Sequence, residues 1–130
     1  MIRYVLLVLA LAGGYYYLSR HCDMDRGLEY IAAHKTASWA PRAHYTVARI
    51  TFEREQYPKA QALFTQHLAD YATGQLTSQV LCYLEDSAEY NHDWPAAKAA
   101  IDRYIDEYPE GPKADLMKKR QELIRYEHGL

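Results

Sequence analysis

The feature that most constrains this chain is a pattern that recurs after 37 residues. Residues 57–64 read Tyr-Pro-Lys-Ala-Gln-Ala-Leu-Phe, and residues 94–101 read Trp-Pro-Ala-Ala-Lys-Ala-Ala-Ile. Both contain an aromatic residue, a proline, an alanine two positions later, and then an apolar residue four positions on. The same offset relates Val47 to Leu84, Leu68 to Ile105 and Tyr71 to Tyr108. Such self-similarity predicts an array of structural repeats.

Each part of the pattern has a physical reason in a pair of antiparallel helices. Proline fits the first turn of a helix because its missing N–H would have no partner there. Alanine lets two helices approach closely, and the apolar residue four positions later lies on the same helix face. The segments between read as amphipathic helices, with the inner face at Ala48 and Phe52, at Leu63, Phe64, His67, Leu68 and Tyr71, and at Val80, Leu81, Leu84 and Ala88. The sequence therefore predicts an all-α fold containing two helical hairpins.

Local signals mark where these helices begin and end. Asp93 directly precedes Trp94 and is the expected N-cap of the helix that begins there. Residues 72–74, Ala-Thr-Gly, end the second helix of the first hairpin, and residues 108–112, Tyr-Pro-Glu-Gly-Pro, end that of the second.

These residues resemble the tetratricopeptide repeat family. The family motif has a small residue in the first helix, an aromatic residue at the turn, alanine in the second helix and a bulky apolar residue four positions later. The resemblance spans about residues 41–128, and the Tyr-Pro end followed by Ala114 looks like the bacterial cell-envelope members. It implies a short α-solenoid of the tetratricopeptide type. The matching residues are Ala48, Tyr57, Ala60 and Phe64, and then Trp94, Ala97, Ile101 and Pro109.

Three features depart from the family motif. The period is 37 residues against the usual 34, so residues 73–77 are expected to hold about three extra residues. His67 replaces a usual alanine, and Glu85 stands where the first helix normally has glycine or alanine. Two outcomes are open at Glu85: the hairpins splay apart there, or the side chain tilts to a wet edge.

Residues 1–20 are predicted to be a transmembrane anchor, since a spanning helix needs roughly 17 to 25 mostly apolar residues. A cleaved signal peptide is an alternative, because Ala10-Leu11-Ala12 precedes Gly13, although the peptide would be short. A buried hydrophobic helix is another. If residues 1–20 are retained as an anchor, we expect a single-pass inner-membrane protein with its body in the periplasm. The anchor residues are Val5, Leu6, Leu9, Gly13, Gly14, Tyr15, Tyr16 and Tyr17.

The segments beside the hairpins are predicted to be capping helices. Residues 21–40 hold a lone second helix, a half-repeat, at about residues 25–34. Residues 41–130 hold the two hairpins and a final helix with a polar outer face, as terminal repeats require. Leu116, Met117, Leu123 and Ile124 lie on its apolar side, and Lys118, Lys119, Arg120, Glu122 and Arg125 on its polar side.

Composition excludes several function classes. The net charge is −2, and the longest basic run is residues 118–120, which argues against nucleic-acid binding. Neither HExxH nor CxxCH occurs, so we predict no metal, no cofactor and no catalytic residue. Cys22 and Cys82 could pair only if their Cα atoms came within about 7 Å. The histidines are expected on surfaces or helix faces: His21, His34, His44, His67, His92 and His128.

The resemblance implies one functional surface, the concave face formed by the first helix of each hairpin. Its basic and aromatic half and its acidic half could bind a protein segment; the alternative is ordinary solvated surface. Two repeats fall short of the three or so that a solenoid prefers, which favours support from the membrane, a second copy or a larger partner. The predicted partner-binding residues are Arg42, Tyr45, Arg49 and Phe52, and then Gln79, Asp86, Glu89 and Tyr90.

The sequence therefore predicts a non-enzymatic, membrane-anchored interaction subunit or assembly factor of a bacterial envelope complex. One alternative is a structural accessory subunit that its transmembrane helix holds in a larger complex through Gly13 and Gly14. Another is a periplasmic repeat protein secreted after signal cleavage. A protein partner is expected in each case, and an oligomer is possible.

Overall fold

A computed structural model describes residues 1–21 and 24–130 of the chain. Within these residues the chain forms seven α-helices and no strand, which confirms the all-α prediction. Cys22 lies outside the described residues, so the possible pairing of Cys22 with Cys82 does too. The helices are α1 (Ile2–His21), α2 (Met24–Ala33), α3 (Ala40–Glu53), α4 (Tyr57–Asp70), α5 (Thr77–Tyr90), α6 (Trp94–Glu107) and α7 (Ala114–His128).

The helix boundaries recur with the predicted period. Helices α3, α5 and α7 begin at residues 40, 77 and 114, and α2, α4 and α6 end at residues 33, 70 and 107. Each successive pair is 37 residues apart. Helix α2 ends in the register of the second helix of a hairpin. Helix α7, expected only as a capping helix, begins where the first helix of a third hairpin would begin. From α2 onward each helix packs on the next, and α3 also packs on α5, an arrangement compatible with an α-solenoid.

The turns explain the long period. Within a hairpin the turn has three residues, 54–56 or 91–93, and between hairpins it has six, 34–39, 71–76 or 108–113. Thr77, expected in a turn, is the first residue of α5. Each short turn contains one residue with positive φ, Glu55 at 61° and His92 at 55°, which are equivalent in the repeat.

The predicted start signals are present. Pro58 and Pro95 lie in the first turns of α4 and α6, as does Pro41 in α3. The Asp93 carboxylate accepts a hydrogen bond from the Ala96 N–H at 3.2 Å, which confirms the predicted N-cap. These helices begin where local chemistry predicts.

The core runs between the helices of the two hairpins and α7. Small residues allow close approach, and Ala48, Ala60, Ala88 and Ala97 are fully buried. Larger side chains fill the remaining space, and burying each contributes about 1.5–3 kcal/mol. The largest of these apolar and aromatic side chains are Phe64, Val80, Leu81, Ile101, Tyr104 and Met117.

Glu85 corrects a prediction. Its side chain is 0% exposed, so it does not lie at a wet edge, and α5 packs closely on both α4 and α6. The guanidinium of Arg120 from α7 donates a hydrogen bond to Glu85 Oε2 and so supplies the charge that makes this burial tolerable. Arg120 was expected on the solvent side of α7 but is only 30% exposed.

Helix α1 covers the segment predicted as a membrane anchor. Within the described residues it packs against no other helix, and its large apolar side chains are exposed on all sides. No helix in the described part of the chain is both long enough and apolar enough to cross a bilayer. The uninterrupted apolar run, residues 5–12, extends about 12 Å at 1.5 Å per residue, whereas a hydrocarbon core is about 30 Å thick.

Candidate functional site

The structure brings the two predicted halves of the binding surface together, because α3 and α5 are neighbours. Arg42 and Arg49 on α3 and Gln79 and Tyr90 on α5 are exposed. Phe52, Asp86 and Glu89 are half-buried. Tyr45 is only 8% exposed, because it belongs to the core between the hairpins.

Tyr83 is the residue of this surface that the sequence reasoning missed. Its ring lies 6.1 Å from that of Tyr45, 5.3 Å from Phe52 and 5.4 Å from Phe64, centroid to centroid. It therefore joins α5 to both helices of the first hairpin. The available signal was its spacing, since Tyr83 follows Gln79 by four residues and shares its helix face.

The aromatic residues predicted as partner anchors already pack against each other. Phe52 and Tyr90 lie 6.1 Å apart, and Tyr90 stacks on Tyr57 at 4.1 Å with an angle of 5° between the rings. This stack joins the turn of the first hairpin to the end of α5. Tyr90 remains 60% exposed, so its outer face is free to contact a partner.

An apolar cavity of about 380 Å³ opens beside α5. Its walls come from α5 and from the turn between α6 and α7, and Tyr83 and Tyr104 provide aromatic surface. Charged groups stand at its edge, Asp86 on one side and Lys113 on the other. The cavity therefore suits an apolar side chain flanked by polar groups. Its lining residues are Ser78, Gln79, Cys82, Tyr83, Asp86, Tyr104, Pro112 and Lys113.

Cys82 is half-buried in this lining. Burial, with a smaller contribution from the charge of Asp86, raises the pKa of its thiol. The thiol is therefore protonated at neutral pH and contributes apolar surface.

The acidic half of the surface is built around the buried Glu85. Burial, followed by the hydrogen bond and charge of Glu89, raises the pKa of Glu85 to about 8, and Arg120 acts in the opposite direction. Arg120 also donates to Asp86 at 2.8 Å. Oxygens of Glu85, Asp86 and Glu89 lie within 4.8 Å of one another, a spacing that a divalent cation could use. Arg120 already supplies positive charge at this position.

The raised pKa of Glu85 is the one property of this cluster that would suit a catalytic acid. Sequence alone showed no carboxyl group with a shifted pKa, and the structure contains one. Glu85 is fully enclosed, however, and does not line the 380 Å³ cavity. A general acid must reach the atom that it protonates, so this position favours a structural role.

Two of the histidines lie on buried helix faces and not at the surface. His44 on α3 and His67 on α4 are buried, and their Nδ1 atoms lie 3.2 Å apart, so that one ring donates its proton to the other. Burial lowers the pKa of both, and the neighbouring His44 helps to bring that of His67 to about 4. Asp70 opposes this decrease. Both rings are therefore neutral at pH 7.

Comparison of the chain with protein-family models, with curated proteins and with solved structures found no match.

Proposed function

We propose that this chain is a non-enzymatic interaction module, whose α3–α5 surface binds a segment of another protein and whose α1 attaches it to a membrane. The repeat is of the tetratricopeptide type in this proposal. The observation that carries it is the 380 Å³ apolar cavity beside α5, which two residues of that surface, Gln79 and Asp86, help to line. Binding hot spots are aromatic-lined pockets of this kind with a polar rim.

The two helices of the surface carry charges of opposite sign. Arg42 and Arg49 lie on α3, whereas Asp86 and Glu89 lie on α5. The positive charge of Arg49 is reduced by its ion pair with Glu53 at 3.2 Å. A bound segment would place an apolar side chain in the cavity, acidic residues towards α3 and basic residues towards α5.

Membrane attachment is supported by the exposure of α1. An isolated helix with apolar residues on all sides is unstable in water unless lipid or another protein covers it. Tyr15, Tyr16 and Tyr17 follow the apolar run, and Arg20 donates a hydrogen bond to the Tyr16 hydroxyl at 2.6 Å. Tyrosine and arginine at the end of an apolar helix suit the headgroup region of a bilayer. We place the membrane in the bacterial envelope, with the repeats on the periplasmic side.

Site-specific photocrosslinking tests the binding surface. A photoreactive amino acid at Gln79, which lines the cavity, should give one defined adduct in intact membranes, and Asp86→Ala should weaken it. The matched position is Thr65, which is exposed on α4 away from the cavity and should give no such adduct. Equal crosslinking from Gln79 and Thr65, or none from Gln79, would contradict the proposal.

Vesicle flotation tests the role of α1. The full chain should float with liposomes, and Leu6→Asp combined with Leu9→Asp should abolish flotation, because a charged residue in the apolar run costs about 2.5–3.5 kcal/mol. Flotation of the double variant would show that α1 is not the attachment.

The accessory-subunit alternative is favoured by the open surface at Gly13 and Gly14, where an added Cβ would meet nothing within 4 Å. Small residues at this position let another helix approach closely. In that case Gly13→Leu with Gly14→Leu should release the chain from its complex, while Asp86→Ala should not.

A further inference from the structure

The 380 Å³ cavity beside α5 has an equivalent place earlier in the repeat. The 37-residue offset that relates α3 to α5 also relates α5 to α7, so the space between α5 and α7 (the second gap) repeats the space between α3 and α5 (the first gap). Cys82 on α5 therefore corresponds to Tyr45 on α3, and Arg120 on α7 corresponds to Tyr83 on α5. The first gap thus shows which side chains the second one lacks.

Two tyrosine rings occupy the first gap. The rings of Tyr45 and Tyr83 lie 6.1 Å apart, edge to face, and Tyr45 is only 8% exposed. The cavity that Tyr45 still lines is about 190 Å³, half the volume of the 380 Å³ cavity that Cys82 lines. A larger cavity of about 520 Å³ opens at residues 71–76, and Tyr45 does not line it. A tyrosine ring is therefore the group that this fold places between successive first helices.

Neither ring is present in the second gap. Cys82 has a small side chain, and the guanidinium of Arg120 donates hydrogen bonds to Glu85 and Asp86. Arg120 is not among the walls of the cavity. The place that the Tyr45 ring takes in the first gap is therefore open in the second, where it is part of the 380 Å³ cavity.

The size and the walls of this cavity suit an aromatic side chain. A cavity of about 150 Å³ can hold benzene, so 380 Å³ leaves room for one ring and part of its backbone. The half-buried Tyr83 borders both gaps, since its ring contacts Tyr45 in the first and lines the cavity in the second. Rings that meet edge-on attract each other beyond what their buried area contributes. A ring in the cavity would therefore gain from Tyr83 what Tyr45 already gains.

The rim of the cavity carries an unbalanced positive charge. Asp86 is paired with Arg120 at 2.8 Å, whereas Lys113, at the turn between α6 and α7, has an exposed side chain. Complementary charge across an interface fixes the register of a bound segment. An acidic residue beside the bound ring would pair with Lys113.

We propose that this cavity receives an aromatic side chain, tyrosine or phenylalanine, of a partner protein segment, and that an acidic residue next to it pairs with Lys113. The ring takes the place that Tyr45 holds in the first gap. This inference rests on the proposed function of the α3–α5 surface and names the residues that the partner must present there.

The test is an NMR titration of the full chain in detergent micelles with the acetylated tetrapeptide amide Gly-Tyr-Glu-Gly. We expect saturable amide shifts with a Kd on the order of 1 mM, as for a very small ligand. Replacing the tyrosine of the peptide with leucine should weaken binding about fivefold, because the contact between two rings is lost. Equal affinity for the two peptides, or shifts that do not saturate, would overturn the proposal.

Variants of the chain test where the ring binds. Cys82→Tyr restores the residue of the first gap and should abolish saturable binding. Thr65→Tyr adds the same side chain on the exposed face of α4, outside the cavity, and should bind as the wild type does. Binding to Cys82→Tyr with wild-type affinity would overturn the proposal.

Lys113→Glu changes an exposed side chain, so it tests the rim even if Cys82→Tyr fails to fold. It should weaken binding of the glutamate peptide about threefold and strengthen binding of the corresponding lysine peptide, Gly-Tyr-Lys-Gly, by a similar factor. An unchanged order of the two peptides would show that Lys113 does not pair with the ligand.

Photocrosslinking from Gln79 separates this inference from the proposed function. A defined adduct together with equal affinity for the tyrosine and leucine peptides would leave the binding surface in place and remove the aromatic anchor. Absence of the adduct would contradict the proposed function, and this inference with it.

Discussion

The two hairpins follow one repeat but bury different polar groups. In the first, a hydrogen bond joins the rings of His44 on α3 and His67 on α4. In the second, the equivalent residues are Leu81 and Tyr104, and the polar group lies instead at Glu85, where the first hairpin has Ala48. The partner of Glu85 is Arg120 on α7, outside its own hairpin.

This difference shows that each hairpin obtains its stability from a different place. The first satisfies its buried polar pair internally, so it depends on the protonation of its own histidines. The second needs a residue of α7 to donate a hydrogen bond to its buried carboxyl group, so α7 is part of that hairpin's stability. Four experiments test this comparison.

The largest effect is expected when the contact with α7 is removed. Arg120→Met leaves the buried carboxyl group of Glu85 without the hydrogen bond that Arg120 donates, which should lower the free energy of unfolding by about 3 kcal/mol, the upper end for losing a buried hydrogen bond to a charged group. Chemical denaturation followed by tryptophan fluorescence measures it. Lys119→Met, a neighbouring exposed lysine, is the control and should stay within about 0.5 kcal/mol of wild type.

A double variant sharpens this prediction. Combining Glu85→Ala with Arg120→Met removes the carboxyl group and restores the alanine of the first hairpin. It should recover at least half of the lost stability. If the double variant is no more stable than Arg120→Met alone, Arg120 acts through packing and not through Glu85.

Acid should act on the first hairpin. The pKa of His67 is about 4 when folded and 6.5 in the unfolded chain, so the unfolded state binds the proton first. The contribution of His67 to stability is fully present above pH 6.5 and decreases as the pH falls from 6.5 towards 4, by about 2 kcal/mol at pH 5. Asp70 and Lys35 also lie near this pair, and the ion pair between them persists over this range.

Installing the residues of the second hairpin, His44→Leu with His67→Tyr, should remove most of this acid sensitivity. His92→Asn changes an exposed histidine and should leave it intact. Denaturation at pH 7 and pH 5 compares the three proteins, each carrying Glu85→Gln so that the titration of Glu85 does not offset that of the histidines. An unchanged acid response in the double variant would place its origin outside this pair.

The turns at residues 71–76 and 108–113 should differ in their tolerance of a methyl group, because Tyr104 fills the second turn and the equivalent residue of the first is the shorter His67. Gly111→Ala places a Cβ 2.6 Å from Tyr104 Oη and 3.1 Å from the Tyr108 carbonyl oxygen, and should cost about 1.5 kcal/mol by overpacking. Gly74→Ala, at the equivalent position, should be neutral within about 0.5 kcal/mol. Thermal denaturation distinguishes them, and equal effects would refute the contrast between the turns.

The smallest effect is expected on the alkaline side of the second hairpin. The pKa of Glu85 is about 8 when folded and 4.5 in the unfolded chain, so its contribution is fully present below pH 4.5 and is lost as the pH rises through 8. Between pH 7 and pH 9 the loss should be about 1 kcal/mol. Glu85→Gln should abolish this dependence, whereas a persistent loss in that variant would show that another group titrates.

Much of the fold was predictable because local rules set it. Proline at the first turn, Asp93 at the N-cap and apolar spacing predicted where α4 and α6 begin, and the end signals predicted where they stop. The binding surface was predicted less completely. Its exposed charged residues follow from helix periodicity, but the burial of Tyr45 and the central place of Tyr83 depend on how α3 packs on α5.

The sequence by itself determined the 37-residue period, the starts and ends of α4 and α6 and the small residues at the helix crossings, because these depend on neighbours within a turn or two. Only the tertiary structure decided which polar groups meet. Glu85 and Arg120 are 35 residues apart, and His44 and His67 are 23 apart. Their pairing depends on the packing register between helices, which periodicity within one helix does not specify. The same register leaves one turn open at His67 and fills the other with Tyr104.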